Sequence, residues 1–134
     1  MRATHRSTIE VTMDDYLTPR GDCIVGIDAS KAPAMFSDDF RRLAARSSSI
    51  IIAVFCAPGG CDVVTGRGSP RLSLSDERRM VLRRSSYVDE GTVMIMADKA
   101  AADLGRDLAA SLRSSASRLH VVLVVVDPSC RSTA

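Results

Sequence analysis

The stretch Ile9 to Lys31, IEVTMDDYLTPRGDCIVGIDASK, returns in degraded form as Met80 to Lys99, MVLRRSSYVDEGTVMIMADK. Tyr16 aligns with Tyr87, Gly21 with Gly91, Cys23-Ile24-Val25 with Val93-Met94-Ile95, and Asp28 with Asp98, each aspartate ahead of a lysine, Lys31 or Lys99. A segment that recurs once predicts two copies of one supersecondary unit, neither able to bury its apolar face alone, packed about a pseudo-twofold axis. The expected repeats cover approximately residues 2–65 and 71–127 of a single domain, 1–134.

Each copy reads as strand, loop, strand, loop-helix, strand. In the first, Ile9, Val11 and Met13 alternate with Thr8, Glu10 and Thr12, the period of a half-buried strand. Thr18-Pro19-Arg20-Gly21-Asp22 has turn chemistry and predicts a chain reversal into a strand over Cys23 to Ile27. Pro33 keeps Asp28 to Phe36 out of a helix. Ser37 then caps a helix running to about Ser47, with Asp38 and Asp39 in its first turn and Phe40, Leu43 and Ala44 facing inward. The β-branched run Ile50 to Cys56 predicts a central strand, turned at Pro58-Gly59-Gly60 into Cys61 to Thr65.

In the second copy, strand-like alternation spans Arg71 to Ser75 and Arg79 to Arg83, and a strand is expected over Thr92 to Ala97. Leu104, Leu108 and Leu112 stand one turn apart on a helix that begins as early as Lys99, capped by Asp98, and Leu119 to Val126 is the closing strand. The fold class is α+β and β-rich: internally duplicated strand-strand-helix-strand repeats forming a pseudo-twofold barrel-like or sandwich domain with two helices. Closing a barrel would remove exposed strand edges. A sheet with both helices on one face is the competing architecture.

With 134 residues, 46% of them apolar, the chain supports one real core. Aromatics make up only 4%, so Val, Ile, Leu, Met and Ala must build it around a few large anchors, Phe36, Phe40, Phe55, Tyr16 and Tyr87. Asn and Gln are absent, and Lys31 and Lys99 are the only lysines in an otherwise arginine basic set. A GC-rich genome favours arginine; loss of thermolabile amides favours a hyperthermophile origin. A net charge of +2 does not identify a nucleic-acid binder, so placement matters more. Arg78, Arg79, Arg83 and Arg84 bracket one strand and Arg41, Arg42 and Arg46 share a helix; ion pairing and solvation are their expected roles.

The N-terminal MRATHRSTIEV turns polar at once, unlike a signal peptide, and the longest apolar runs, Ile50 to Ala57 and His120 to Val126, are too short to span a bilayer. The expected location is cytoplasmic, with no membrane partner. The cysteines are Cys23, Cys56, Cys61 and Cys130. Free thiols are the cytoplasmic norm, yet intracellular hyperthermophile proteins do form disulfides, and Cys56 and Cys61 flank a turn that would bring them together. His5 and His120 are the only histidines and neither has finger spacing, so a structural zinc is not expected.

Three blocks, THRSTIEVT (4–12), LTPRGDCIVGI (17–27) and ADKAAADL (97–104), closely resemble an archaeal conserved family catalogued as a domain of unknown function. The blocks fall in order across essentially the whole chain. The resemblance implies an archaeal source and carries no defined activity with it. The family pattern also includes histidines near the positions of Ser69 and Asp76, which this chain lacks, so no metal or acid–base role passes to it through them.

Candidate ligand-binding residues are His5, Arg20, Asp22, Asp28, Lys31, Asp98 and Lys99, with Thr4 beside His5. A carboxylate beside an ammonium at the start of a helix suits an anion or phosphate, because the helix amides and the lysine are both positive there. The plainer alternative is a capping aspartate beside a solvated lysine. Recurrence favours the functional reading, since lysine and arginine are not interchangeable and both lysines hold equivalent places in the two copies. Of Arg20-Gly21-Asp22 the second copy keeps only the glycine, so any chemistry of Arg20 and Asp22 belongs to one half. His5, in a polar segment, is able to titrate or act as a base. His120 reads as a strand-end residue.

The best-supported function is a non-catalytic binding module for RNA or another phosphate-bearing ligand, with no cofactor. Scarce aromatics limit base stacking, so binding would fall on backbone phosphates and depend strongly on salt. The second reading is an endonuclease-like enzyme with Glu10, Asp22, Asp28 and Asp98 holding Mg or Mn and a lysine assisting. Its spacing departs from the common acid-x-lysine pattern, Asp28-Ala29-Ser30-Lys31 being too long and Asp98-Lys99 too short. The third is a structural, self-assembling homo-oligomer whose exposed strands pair with a copy. No P-loop, dinucleotide fingerprint, HExxH, nucleophile elbow or paired CxxC occurs, so nucleotide hydrolysis by a known loop, zinc proteolysis and esterase chemistry are not expected, though a missing motif does not exclude a function.

Overall fold

The computed structural model describes residues 6–14, 24–27, 29–114 and 117–129. Among them lie strands β1 (Thr8–Thr12), β2 (Ile24–Gly26), β3 (Ile50–Ala57), β4 (Gly60–Arg67), β5 (Arg79–Arg83), β6 (Thr92–Met94) and β7 (His120–Val126). Helices α1 (Asp38–Ala44) and α2 (Arg106–Leu112) each follow a single 3-10 turn, Pro33–Met35 and Ala101–Asp103. The protein is thus α+β and strand-rich, with two sheets and two helices among the described residues.

The first sheet has the order β2-β1-β5-β6 and the second β4-β3-β7. In the first, β1 and β5 run antiparallel with Glu10 opposite Val81, and each takes a parallel neighbour, β2 on β1 and β6 on β5. Both parallel pairs slip in register, between Glu10 and Val11 and between Val81 and Leu82. The reversal expected between β1 and β2 is therefore corrected. Turn residues signal that a loop exists, not on which side it crosses. The second sheet is antiparallel, and β3 is its centre as its continuous β-branched run predicts.

The inner faces of the sheets share one core. Ile9, Val11, Met80, Leu82, Val25 and Val93 from the first meet Ile51, Ala53, Phe55 and Val64 from the second, with Leu104, Leu108 and Leu112 closing over them. Each fully buried aliphatic or aromatic side chain contributes roughly 1.5–3 kcal/mol. Leu72 and Leu74 belong to this core without a strand around them, Leu74 with φ of 50°. The alternation over Arg71 to Ser75 thus marks two buried leucines in a loop rather than a sheet strand.

Ser37 caps α1 as expected, its Oγ accepting the Phe40 N–H at 3.2 Å. The second helix starts at Arg106, later than Lys99, because Leu104 and Gly105 are extended, both with ψ of 144°. Nor does Asp98 cap it. Its Oδ1 accepts the Thr65 N–H at 2.9 Å, while Asp103 Oδ2 takes the Ala100 N–H at 2.9 Å.

The sheets do not close into a barrel. One seam is tied by backbone bonds between Arg67 and Ile95 and from Asp98 N–H to Thr65 C=O. Across the other, β2 and β7 are not paired among the described residues. No helix of the described residues is long and apolar enough to cross a membrane.

Candidate functional site

The unpaired seam between β2 and β7 opens into a cleft of about 1010 Å3. Core residues reach its floor: Val11, Val25 and Met80, all buried, from one sheet, and the half-buried Val121 and Leu123 from the other. Phe36 and Phe40 line it from the α1 side, both half-buried, packed edge to face with centroids 5.3 Å apart. Lys31, Arg113, Arg118 and His120 also line it, all exposed, and among the described lining residues there is no carboxylate.

Local structure puts each of these groups at the seam. Lys31 directly precedes Ala32, the residue that opens the Pro33 turn. Arg113 is the C-cap residue of α2, and Arg118 and His120 stand where the chain enters β7. None of the four forms an ion pair with a carboxylate among the described residues. An apolar cleft with unneutralised cations at its edge favours a ligand that is part apolar and part anionic.

The arginines prominent in the sequence are committed elsewhere. Arg78 meets Asp14 at 2.7 Å, Arg83 meets Asp89 at 2.9 Å, and Arg84 meets Asp103 at 3.4 Å. Arg79 lies 3.7 Å from Glu10, 3.8 Å from Asp76 and 4.0 Å from Asp89. On α1, Arg41 donates to the carbonyls of Phe36, Pro33 and Ser73, Arg42 pairs with Asp39, and Arg46 with Asp127. The outer face of the first sheet is thus a neutralising network. Burial raises the Glu10 carboxyl above its ordinary range in spite of Arg79 and Arg83 nearby. Burial works on Asp89 in the same sense, but the Gly91 N–H, Arg83 and Thr92 outweigh it and hold the group low.

Of the residues singled out from sequence, Lys31 lies at the cleft. Asp98 and Lys99 stand instead by the tied seam. Lys99 Nζ pairs with Asp62 Oδ1, and Asp62 Oδ2 accepts the Gly105 N–H at the start of α2 at 2.7 Å. Burial would raise the Asp62 carboxyl, but these two donors and the Val63 N–H lower it below its usual range. His5, Arg20, Asp22 and Asp28 lie outside the described residues. The sequence does not single out Arg113 and Arg118, and it gives His120 as a strand end; the signal for all three is a basic cluster, Arg113 to His120, between an amphipathic helix and an apolar strand.

For the metal reading, Glu10 faces the Arg79 and Arg83 guanidiniums, a setting that repels a cation, while Asp98 is held by Thr65 of β4. Among the described residues no three His, Cys, Asp or Glu side chains gather in a way that would hold a metal ion. Across β3 and β4, Cys56 and Cys61 are directly opposed with Cα atoms 4.1 Å apart and are joined through their sulfurs.

Residues 1–126 match the family described as Domain of unknown function (DUF371). An uncharacterized protein of Methanocaldococcus jannaschii, MJ0206, is 37% identical over 122 residues, which cover 91% of this chain and 90% of that protein. With a match of this extent and an archaeal relative aligned almost end to end, the chain belongs to the DUF371 family, as the three sequence blocks anticipate.

Proposed function

We propose that the cleft between β2 and β7 is a non-catalytic binding site for a phosphate-bearing ligand, and that a single RNA strand is the ligand it suits best. The observation that carries this reading is the division of the cations: the β5 and α1 arginines are occupied by internal partners, whereas Lys31, Arg113 and Arg118 have no ion-pair partner among the described residues and stand beside one apolar cleft. Phosphates would meet those three groups and His120. A base would lie on the Phe36 and Phe40 edge, which supplies a stacking surface despite the low aromatic content.

We also propose that the two halves derive from one duplicated unit. In support, each half runs strand, parallel strand, 3-10 turn, helix, strand, the first half adding β4 after its last strand, and each parallel pair slips in register beside the shared β1–β5 contact. The pairing register sets Ile24 beside Glu10 and Thr92 beside Val81, which makes Lys31 and Lys99 equivalent and Asp28 and Asp98 not. On this reading the cleft lies where, at the other seam, β4 reaches Ile95.

Fluorescence anisotropy with a short labelled single-stranded RNA at two salt concentrations tests the binding proposal. Affinity is expected to fall with salt, and Arg118→Ala and Lys31→Ala are each expected to reduce the slope of log affinity against log salt by about 0.7. Arg83→Ala, which removes a paired arginine, should leave affinity unchanged. No binding at low salt ends the proposal.

A second reading, self-association through β7, has its own support. That strand is an edge of its sheet, and Val122, Val124 and Val126 are 56%, 41% and 45% exposed. Because β7 also borders the cleft, the two readings compete. Light scattering over a concentration series distinguishes them: a constant monomer mass rules out self-association.

A further inference from the structure

We propose that the Cys56–Cys61 pair is a thiol–disulfide exchange site whose substrate is a dithiol, with attack falling on Cys61 and Cys56 leaving as the thiolate. This inference does not depend on what the ligand cleft binds, although Arg118 and His120 line both the cleft and the hollow beside Cys56. Three observations carry it. The bond joins adjacent strands of a hairpin that is already fully hydrogen-bonded, from Ala57–Gly60 to Ile50–Arg67, and its Cα separation of 4.1 Å lies below the usual range for disulfides. Cys61 is exposed on β4, an outer strand of the sheet. On the other side of Cys56, its β7 neighbour is His120, and a hollow of about 260 Å3 beside it is lined by Cys56, Ala57, Pro58, Arg118 and His120.

Exchange requires an attacking thiolate in line with the sulfur–sulfur bond, and the rate rises as the leaving thiol becomes more acidic. That bond runs across the strands, from β4 to β3. Cys61 is exposed, so a thiolate reaches it from the solvent side of β4, whereas approach to Cys56 comes from the side where His120 and Arg118 stand. The same two side chains supply a guanidinium and an imidazole to the departing Cys56 sulfur, the setting that stabilises thiolates. Arg118 and His120 are positioning residues here, since neither sulfur–sulfur exchange partner bonds to them.

The step balances as follows in atoms and electrons. One thiolate of the dithiol bonds to Cys61 Sγ, the Cys56–Cys61 bond breaks, and its electron pair goes to Cys56 Sγ. The second thiolate of the dithiol then attacks its own sulfur partner in the mixed disulfide and releases Cys61 as a thiolate. The dithiol is oxidised to a disulfide, the protein pair is reduced by two electrons, and the two protons lost by the dithiol end on Cys56 and Cys61.

The test uses the full folded chain. Brief exposure to glutathione, acid quenching and peptide mapping by mass spectrometry locate the mixed disulfide, and dihydrolipoate then serves as the dithiol for reduction kinetics. The adduct is expected on Cys61 in at least about tenfold excess over Cys56, and the Arg118→Ala, His120→Ala double variant is expected to slow reduction roughly three- to tenfold. Arg118→Lys in the His120→Ala background, which returns the arginine's positive charge, should restore much of the rate, a rescue that a merely packing role would not give. The proposal is overturned if the aerobically purified protein carries both cysteines as free thiols, if the pair is reduced only after denaturation, if the adduct forms on Cys56, or if the double variant reacts at the unaltered rate.

Discussion

Arg67 and Ile95 exchange both backbone hydrogen bonds, Arg67 N–H to Ile95 C=O at 2.8 Å and Ile95 N–H to Arg67 C=O at 3.0 Å, and so join the two sheets along one side. The chain beside them has no room to spare. A Cβ at Gly66 would stand 2.7 Å from the Ile95 oxygen and 2.7 Å from the Met94 sulfur. Gly66→Val is therefore expected to cost about 2 kcal/mol or more in urea unfolding, as overpacking against backbone does. RNA affinity per folded molecule should not change, because the cleft lies at the opposite seam.

Asp62 connects that seam to α2. It accepts from Lys99, from the Gly105 N–H at 2.7 Å and from the Val63 N–H at 2.8 Å, with a side chain only 15% exposed. Asp62→Ala strands two backbone donors and a lysine, at an expected cost of about 1–3 kcal/mol. Lys99→Met leaves both backbone bonds in place and should cost less. Denaturant midpoints of the two variants measured side by side check the ordering.

Acid should weaken the fold. Hydrogen bonding from Arg78 lowers the Asp14 carboxyl, and bonds from Ser129 and Arg46 hold Asp127 far below the usual carboxylate range. Asp62 and Asp89 are lowered as well. A carboxyl depressed in the folded state contributes stability that is complete above its ordinary pKa and is lost as pH falls toward the folded value. Thermal melts should therefore drop below about pH 4 on account of these four carboxyls, with Asp127→Asn showing a shallower acid limb. Glu10 works the other way. Its raised pKa means that stability declines as pH rises through the folded value, and Glu10→Gln should remove that decline.

Local signals in the sequence located the local structure. The β3–β4 hairpin follows from a β-branched run ending in Pro58-Gly59-Gly60, and the Ser37 cap from a serine ahead of two aspartates. Long-range pairing had no such signal. Asp14, the partner of Arg78, lies 64 residues away, so ion pairing of the β5 arginines is expected from sequence but their partners are not named by it. The cleft has no local signal for the same reason: it lies where β2 and β7 do not pair, and Arg113, Arg118 and His120 acquire a common setting with Lys31 only across that seam. The spacing of Leu104, Leu108 and Leu112 predicts an earlier start for the second helix than Arg106, because Leu104 shares the helical spacing while its backbone remains extended.

Amide chemical-shift mapping during titration with a short single-stranded RNA tests the binding cleft most directly. Shifts concentrated at Lys31, Phe36, Phe40, Arg113, Arg118 and His120, diminishing as salt is added, are the predicted outcome. Shifts centred on Arg79 and Arg83, or none at low salt, would contradict it.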